Sequence, residues 1–372
     1  MAKHILITGG AGFVGSHVGD ALLRAGHRVR ALDSLSAQVH GPNAKRPRYL
    51  DPEVDLVVAD IRDPGACRRA LVGIDAVFHL AASVGVGQSM YEIARYTDVN
   101  NVGTATLLEA VAESGIEKLV VASSMSVYGE GRYRDARGRL VDDAERSPGD
   151  LRRGQWEILG DDGEALEPLP TPESKAPALT SVYALSKYDQ EKLCLVVGRA
   201  YGIPVVALRL FNTYGARQAL SNPYTGVLAI FATRLMSDRA PLVNEDGLQR
   251  RDFVNVHDVA DACVRSLAVD ARGGLVLNIG SGVSHSVLEV AQLAARAFGR
   301  THINPAVTGS FRIGDIRHCY ADISEARRVL GWEPATSLAV GLDELATWLD
   351  GQAADTGVEA AREELSARGL AL

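Results

Sequence analysis

The sequence predicts an α/β protein in which a doubly wound parallel sheet is joined to a smaller C-terminal substrate lobe. Short apolar runs rich in β-branched residues alternate with stretches of helical period over residues 1–210. A glycine-rich turn connects the first apolar run to the first helical stretch. After residue 210 the elements become shorter and are separated by glycine and proline. Strands that alternate with helices in this way form Rossmann-type parallel sheets.

The first strand is predicted at His4–Thr8, where the run HILIT is followed by a glycine turn and a helix that ends near Gly26. A long helix ends at Ser114, because Gly115 is suited to the left-handed conformation that closes helices. The remaining early strands are predicted at residues 28–32, 56–59, 76–80 and 119–122.

Residues 132–175 break this alternation of strands and helices. Charges of both signs, glycines and prolines dominate there, and only residues 156–159 look able to be buried. We interpret residues 131–175 as an insertion that forms either a lid or an excursion at the edge of the sheet. A helix over residues 181–201 and a strand over residues 205–208 then resume the pattern.

Composition and charge exclude several classes of protein. A chain of 372 residues with 47% hydrophobic and 23% charged residues can bury a core, which excludes disorder as its main state. The net charge of −7 gives no broad basic field, so we expect neither nucleic acid nor a membrane as a partner. The widely spaced cysteines, the absence of a secretory signal and the absence of a membrane-spanning run predict a cytoplasmic protein.

The glycine turn predicts a dinucleotide site. Gly9 permits the tight turn, Gly12 lets the backbone approach a pyrophosphate, and Gly15 allows the helix to pack closely on the strand. Phe13 and Val14 belong to the first helical turn, whose free N–H groups can bind phosphate. The alternative is an ordinary turn between a strand and a helix.

Asp33 ends the second strand about 20 residues after the glycine turn. Its carboxylate would accept hydrogen bonds from the ribose 2′-hydroxyl and would repel a 2′-phosphate, which favours NAD over NADP as the cofactor. Asp60 and Ile61, after the third strand, could similarly face the adenine. The alternatives are a solvated strand end for Asp33 and a surface position for Asp60.

Tyr183 and Lys187 stand four residues apart on the predicted helix, so both side chains project from one face. Ser124 follows the fifth strand at the carboxyl edge of the sheet, where open α/β sheets bind their ligands. A phenolate there could take a proton from a substrate hydroxyl while hydride leaves the same carbon. Bringing a tyrosine pKa from near 10 towards 7 requires about 4 kcal/mol, which Lys187 and a positive nicotinamide ring would supply.

Other interpretations of these three residues stay open. A tyrosine and a lysine at this spacing occur in many helices in which the tyrosine is packed and the lysine is solvated. Ser123 or Ser126 could take the role of Ser124 or satisfy backbone groups instead.

The chain resembles the extended short-chain dehydrogenase/reductase superfamily, and within it the NAD-dependent epimerase/dehydratase family, over nearly all of residues 3–350. The motifs that carry the resemblance are TGGAGFVGSH at 8–17, HLAA at 79–82, VNNVGT at 99–104, SSMSVYG at 123–129, YALSK at 183–187, RLFNTYG at 209–215, RRDFVNVHDVADA at 250–262 and RIGDIRH at 312–318. Residues 199–247 and the insertion resemble the 4-epimerases that act on nucleotide-activated 6-deoxyhexoses, the dTDP-L-rhamnose 4-epimerases.

The resemblance implies further site residues. Those near the cofactor are Leu80, Ala81, Ala82 and Asn100. The substrate that the resemblance implies is a nucleotide-diphosphate sugar. Val84 and Ser89 bound a segment that faces its sugar, and Ser124 and Ser126 also bind the substrate. Asn212 and Arg251 contact the diphosphate, and Arg312 lies near the nucleotide. An arginine suits a diphosphate because its planar fork makes two parallel charged hydrogen bonds. The alternative for Arg251 and Arg312 is a surface ion pair.

The residues after Ser124 distinguish between reactions. Dehydratases of the family carry an Asp-Glu pair there, and uronate decarboxylases keep a Glu. This chain has Met125 and Ser126, neither of which is an acid or a base near neutral pH. We therefore predict epimerisation at C4 through a 4-keto sugar. The alternatives are a dehydratase, a decarboxylase or another NAD-dependent oxidoreductase, and, in another class, a non-catalytic nucleotide-binding scaffold.

The predicted domains are an NAD-binding domain over residues 1–210, to which 251–280 return, and a nucleotide-sugar-binding lobe over 211–250 and 281–350. Residues 351–372 form a helical tail. Some relatives carry cysteines in the insertion, whereas this chain has none between Cys67 and Cys194, so we expect no metal. The family implies a homodimer formed through the long helices.

Overall fold

The computed structural model describes residues 2–219, 226–312, 314–350 and 363–371. Its strands are β1 (His4–Thr8), β2 (Arg28–Asp33), β3 (Asp55–Val58), β4 (Ala76–His79), β5 (Lys118–Ser124), β6 (Arg132–Arg134), β7 (Leu140–Val141), β8 (Glu167–Leu169), β9 (Val205–Leu210), β10 (Asn212–Tyr214), β11 (Leu242–Val243), β12 (Arg250–Asn255), β13 (Leu275–Ile279), β14 (Ser284–Ser286), β15 (Ala306–Val307) and β16 (His318–Cys319).

The α-helices are α1 (Phe13–Arg24), α2 (Ala37–His40), α3 (Pro64–Ala70), α4 (Val86–Ser89), α5 (Ile93–Tyr96), α6 (Gly103–Ser114), α7 (Pro148–Arg152), α8 (Val182–Tyr201), α9 (Val227–Met236), α10 (Val256–Ser266), α11 (Val287–Ala297), α12 (Ser324–Leu330) and α13 (Leu338–Leu349). A π-helical stretch, Thr97–Val102, leads into α6, and a 3₁₀ turn, Met125–Tyr128, follows β5. In the part of the chain that the structure describes, no helix is long and apolar enough to cross a membrane.

Seven parallel strands form the central sheet in the order β3-β2-β1-β4-β5-β9-β13. The chain runs outward from β1 through β2 to β3 and then returns to build the other half from β4. Ligands of doubly wound sheets bind at the carboxyl ends of the strands beside such a reversal. The predicted fold class is confirmed, and each predicted strand of the sheet lies within two residues of an observed one.

The strands are apolar on both faces because helices cover both faces of the sheet. Ile5 and Ile7 of β1 belong to one core cluster, whereas Leu6 between them belongs to the other. All three side chains are fully buried. This alternation explains why the strand reads as an uninterrupted apolar run.

The second lobe stands beside the carboxyl edge of the sheet. Its strands β10, β12 and β14 form one small sheet, to which β16 is added through β12, and β11 pairs with β15. Its own core includes Phe231 of α9, Val290 of α11 and Leu342 of α13. Because β10 begins two residues after β9 ends, the lobe is held close to that edge.

The insertion is more ordered than the sequence predicts. Strands β7, β6 and β8 form a three-stranded antiparallel sheet, and α7 lies between β7 and β8. The expectation that only residues 156–159 are buried is wrong, because Tyr133, Leu151 and Leu166 are also buried. These side chains are isolated among polar residues, so they leave no periodic pattern in the sequence.

Candidate active site

A cavity of about 750 Å³ lies at the carboxyl edge of the sheet, beside the second lobe. Residues of β2 and β5 and of the segments that follow β1, β2, β3, β4 and β5 line it together with the start of α8, β10 and the start of α9. The predicted site residues that line it are Gly9, Gly12, Phe13, Val14, Gly15, Asp33, Asp60, Ile61, Leu80, Ala81, Ala82, Val84, Ser124, Ser126, Tyr183 and Asn212. No residue of the insertion that the structure describes is among the lining residues.

The glycine turn is built for close approach of the backbone. Gly9 has a φ of 71°, and a Cβ on Gly15 would stand 2.1 Å from the carbonyl oxygen of Gly9. Gly12 is the N-cap of α1 and provides no side chain that could satisfy the N–H groups of the first turn. Such a helix terminus, open to a cavity, is suited to bind a phosphate.

Asp33 presents a fixed carboxylate to the same cavity. Its Oδ2 accepts a hydrogen bond from the backbone N–H of Ala11 at 3.0 Å, and its Oδ1 accepts one from the N–H of Leu35 at 2.9 Å. The Nε2 atom of His40 lies 3.9 Å from Oδ1. The backbone therefore holds the carboxylate in place and leaves it capacity to accept further hydrogen bonds.

Asp60 and Ile61 border the cavity beyond Asp33. Asp60 pairs with Arg62, whose Nη2 lies 2.7 Å from Oδ2, and hydrogen bonds from Arg62 lower the pKa of Asp60. Ile61 packs against Gly103, where a Cβ would stand 2.7 Å from its Cδ1 atom. Asp60 is thus an ion-paired residue at the cavity edge, and Arg62 is a cavity residue that the sequence analysis missed.

Ser124 and Tyr183 are brought together at the centre of this edge. The Ser124 Oγ accepts hydrogen bonds from the backbone N–H of Ser126 at 3.2 Å and from its hydroxyl at 2.9 Å. Ser124 also faces the Tyr183 phenol and lowers its pKa through hydrogen bonding. Ser123 faces the other way, because its hydroxyl donates to Glu191 Oε2 at 2.7 Å. Among these serines, Ser124 is the one whose hydroxyl meets Tyr183.

Lys187 lies behind the cavity wall. Its ammonium donates a hydrogen bond to Gln190 Oε1 at 2.7 Å, and Gln190 in turn donates to Thr104 Oγ1 at 2.8 Å. Burial lowers the pKa of Lys187 to about 8. Burial, together with the charge of Lys187, lowers the pKa of the neighbouring His79 to about 3. The lysine is therefore the positive group of this buried polar region.

The phenol of Tyr183 is a weak acid in the protein by itself. Burial raises its pKa to about 12, and the hydrogen bond with Ser124 offsets part of that rise. The predicted fall towards neutral pH thus needs more positive charge beside the phenol than the polypeptide provides. A nicotinamide ring that carries a positive charge is such a group.

Two predicted residues lie one layer behind the cavity. Asn100 is buried, accepts from the N–H of Ser83 at 2.7 Å and donates to the Ser186 hydroxyl at 2.9 Å, so it ties the turn after β4 to α8. The Ser89 hydroxyl accepts from the N–H of Tyr183 at 3.0 Å. Both residues position the elements that carry the lining side chains.

Arg251 and Arg312 do not line the cavity in this structure. Each places a guanidinium nitrogen 3.4 Å from a carboxylate oxygen of Asp315. Arg251 also donates to the carbonyl oxygens of Arg250 and Arg317, both at 2.9 Å. The ion pair considered from the sequence is thus formed by both arginines, with Asp315 as their common partner, and a contact to diphosphate stays a prediction.

Sequence reasoning missed a polar group at the cavity edge. Gln38, after β2, donates to Gln88 Oε1 at 2.9 Å and accepts from Arg95 at 2.6 Å. Gln38 and Arg95 line the cavity. They come from segments without a motif, and only the fold brings them together.

The chain matches the family model described as "NAD dependent epimerase/dehydratase family" over residues 5–148 and 157–280. It belongs to this family. The resemblance inferred from the motifs is therefore confirmed.

Individual members of the NAD dependent epimerase/dehydratase family match nearly the whole chain. A dTDP-L-rhamnose 4-epimerase of Burkholderia thailandensis is 39% identical over 352 residues, which cover 93% of this chain and 95% of the relative. The UDP-glucose 4-epimerase of Thermotoga maritima, solved with UDP-glucose, has a TM-score of 0.77 at 30% identity, covering 93% of this chain and 98% of the other. The Thermus thermophilus UDP-glucose 4-epimerase, solved with NAD, has a TM-score of 0.73 at 30% identity, covering 94% and 99%.

Proposed function

We propose that this family member is an NAD-dependent 4-epimerase of a nucleotide-activated hexose or 6-deoxyhexose. One observation carries the proposal: Ser124 and Tyr183 line the same cavity as the glycine turn, and the residues after Ser124 are Met125 and Ser126. With NAD as the hydride carrier, the hydroxyls of Ser124 and Tyr183 are sufficient for the oxidation and re-reduction of one sugar carbon. Neither Met125 nor Ser126 can serve as the additional acid or base of a dehydratase or a decarboxylase.

The residues at the cavity fit NAD. The open N-terminus of α1 is suited to the pyrophosphate, and the fixed carboxylate of Asp33 is suited to a ribose with two free hydroxyls. The close approach of Gly9 to the backbone of Ala81, where a Cβ would stand 2.9 Å from the Ala81 nitrogen, leaves no room for a side chain in the turn. When bound there, NAD supplies the acceptor, and later the donor, of the C4 hydride.

Tyr183 acts as the proton acceptor in the proposed mechanism. As a phenolate it takes the proton of the C4 hydroxyl, while Ser124 donates a hydrogen bond to the oxygen that becomes the carbonyl. Lys187 favours the phenolate by its charge. The 4-keto sugar then rotates in the site so that hydride returns to its opposite face, and Tyr183 gives the proton back to the C4 oxygen.

The nucleotide must stay anchored while the sugar turns. Asn212 lines the cavity, and its amide donates to the carbonyl oxygen of Asp252 at 2.9 Å, which fixes its orientation. We assign Asn212 and Arg251 to the diphosphate and Arg312 to the nucleotide end. For Arg251 this requires that a phosphate oxygen replaces the carboxylate of Asp315 as partner, which preserves the charge complementarity, and Arg312 must also leave Asp315 to reach the nucleotide.

The substrate we propose first is a dTDP-6-deoxyhexose. It is the substrate class named for the B. thailandensis relative, which matches 93% of this chain. UDP-hexoses are the second class to be tested, since the T. maritima structure contains UDP-glucose.

Product analysis tests the function. Purified protein is incubated with dTDP- and UDP-linked hexoses and 6-deoxyhexoses, and proton NMR follows the configuration at C4. We expect inversion at C4 with no net formation of NADH. A lasting 4-keto product would instead identify a dehydratase, loss of carbon dioxide from a uronate would identify a decarboxylase, and binding without turnover of any sugar would identify a scaffold.

A homodimer in the cytoplasm completes the proposal. The exposed apolar side chains of Val102, before α6, and of Leu185 and Val196, on α8, support pairing through these helices. The cysteines of the described residues are free thiols, as in a reducing compartment. Light scattering of the purified protein should give twice the mass of the chain, and a monomeric mass would contradict the dimer.

A further inference from the structure

Residues 363–371, here named the tail segment, pack against the sheet domain next to the cavity. Residues 363–367 are helical, and the Leu365 side chain is only 7% exposed. It lies against Gly87 of α4, where a Cβ would stand 3.3 Å from both Leu365 methyl carbons. Val86, the preceding residue, lines the cavity. The tail segment therefore covers the outer side of an element whose start faces the cavity.

A second contact fixes the tail segment to the same region. The guanidinium of Arg368 lies 4.3 Å from the ring centre of Tyr91, within the range of a cation–π interaction. Glu364, one helical turn earlier, accepts a hydrogen bond from Arg368 Nε at 2.7 Å. An apolar and a charged contact thus hold the segment on residues 87–91.

At its other end the tail segment reaches the second lobe. Ala371 pairs with Arg312 through an antiparallel backbone bridge. Ala371 lies six positions after Leu365, and a chain of that length spans at most about 20 Å. The segment therefore crosses from the part of the sheet domain assigned to the sugar to the residue assigned to the nucleotide end.

The region under the tail segment is coupled to Tyr183. Ser89, at the end of α4, accepts a hydrogen bond from the backbone N–H of Tyr183 at 3.0 Å. Because Leu365 packs on α4, any displacement of the tail segment changes the support of the helix that carries the phenol. Leu365 is in this sense a positioning residue.

We infer that the tail segment is a strap that keeps the nucleotide sugar in the site while its 4-keto form rotates. This rests on the proposed function. In the oxidised state the sugar has lost the C4 hydride to NAD and the hydroxyl proton to Tyr183, so escape of the keto sugar leaves NADH on the enzyme and ends turnover. A strap that joins the two lobes opposes that escape, because the cleft cannot widen while Leu365 and Ala371 are both seated.

One matched pair of variants of the full chain tests the strap. Leu365→Glu places a charge in the buried contact, whereas Ala367→Glu places the same charge on the exposed side of the same helical turn. With the nucleotide sugar that the wild type epimerises, we expect Leu365→Glu to raise KM about tenfold, as for the loss of one buried leucine contact. We also expect bound NADH to accumulate during turnover. The initial NAD content should equal that of Ala367→Glu.

Equal KM values and equal NADH accumulation in the two variants would overturn the inference. If Leu365→Glu does not fold, the double variant Gly87→Cys/Leu365→Cys decides instead. The native cysteines are all buried, so mild oxidation should cross-link only the introduced pair. Oxidation should stop turnover by holding the strap closed, and a reductant should restore it. Full activity of the oxidised form would show that the segment does not open.

Failure of the proposed function is recognised separately. If the wild type epimerises none of the nucleotide sugars, calorimetry with dTDP and with UDP still tests the strap. Leu365→Glu should then bind the tighter of these nucleotides about tenfold more weakly than Ala367→Glu does. Equal affinities would overturn the strap independently of the reaction.

Discussion

At the residue scale, Tyr183 shows how burial and hydrogen bonding act against each other on one phenol. Burial alone makes the phenol less acidic, and the hydrogen bond with Ser124 partly reverses this effect. Lys187 is buried nearby with its ammonium on Gln190. In the proposed mechanism, a phenol in this environment stays neutral until a further positive charge binds beside it, so the reactive phenolate is expected only in the enzyme that holds NAD.

Removing the phenol hydroxyl should stop the reaction without removing the cofactor. We expect Tyr183→Phe to lower kcat by about 100-fold to 10,000-fold, the usual contribution of a general acid–base group. The NAD content, measured by absorbance after denaturation, should stay that of the wild type. Tyr188→Phe, on the same helix, is the control and should keep its activity. Loss of NAD together with activity in Tyr183→Phe would indicate misfolding instead.

Removing the Ser124 hydroxyl should shift the pH profile of kcat in the alkaline direction. The hydrogen bond with Ser124 lowers the pKa of Tyr183, so the pKa rises when that bond is lost. Because the phenolate is the reactive form, the rising limb of kcat should then lie at higher pH in Ser124→Ala. Ser123→Ala, whose missing hydroxyl faces Glu191, should leave the limb in place. An unshifted limb in Ser124→Ala would contradict the assigned hydrogen bond.

At the scale of elements, buried charges attach the insertion to the second lobe. Arg317 is fully buried and donates to Glu157 of the insertion and to Glu245 and Asp246 of the lobe, at 2.7–3.1 Å for the bonds from Nε and Nη1. His318 Nε2 lies 3.0 Å from the second oxygen of Glu157. The insertion is thus a fixed part of the lobe near Arg251 and Arg312. Its attachment depends on the pairing of each carboxylate in this cluster with Arg317 or His318.

Breaking this cluster should destabilise the protein strongly. Arg317→Met leaves three carboxylates without their shared cation, and we expect a loss of about 3–5 kcal/mol in the free energy of unfolding. Arg328→Met, which removes an exposed ion pair with Glu325, should lower the free energy of unfolding far less. Urea denaturation of both variants compares the two losses. Similar small losses would show that the cluster is not buried in solution.

At the scale of the whole molecule, two lobes meet at the reversal of the sheet, and the cavity is bordered by both. A ligand that binds there stabilises the folded protein by mass action. We expect the carboxylate of Asp33 to make this stabilisation selective, because a 2′-phosphate placed beside it would be repelled. Cofactor choice can therefore be measured on the intact protein without a substrate.

Protein stripped of bound nucleotide should be stabilised by NAD much more than by NADP. At a concentration 100 times its Kd, NAD should add about 2.7 kcal/mol to the free energy of unfolding. NADP at the same concentration should raise the melting temperature less, and Asp33→Ala should reduce the difference between the two. Differential scanning fluorimetry gives the comparison, and equal shifts in the wild type would contradict the role of Asp33.

The sequence by itself determined the features that depend on neighbours along the chain. The strand, glycine turn and helix around Gly12, and the spacing of Tyr183 and Lys187, follow from local preferences and helical period. Their motifs also predicted the family. Sixteen residues, named partly from these patterns and partly from the family resemblance, line one cavity, because the carboxyl ends of parallel strands meet at one edge.

Only the tertiary structure decided contacts between segments far apart in the chain. It turned Ser123 away from the cavity, gave Arg251 and Arg312 the common partner Asp315, and seated Leu365 on Gly87. A polar or isolated apolar side chain has many possible partners, and its sequence neighbours do not select among them. The packing of complete elements makes that selection, since burial requires each polar group to find a partner within reach.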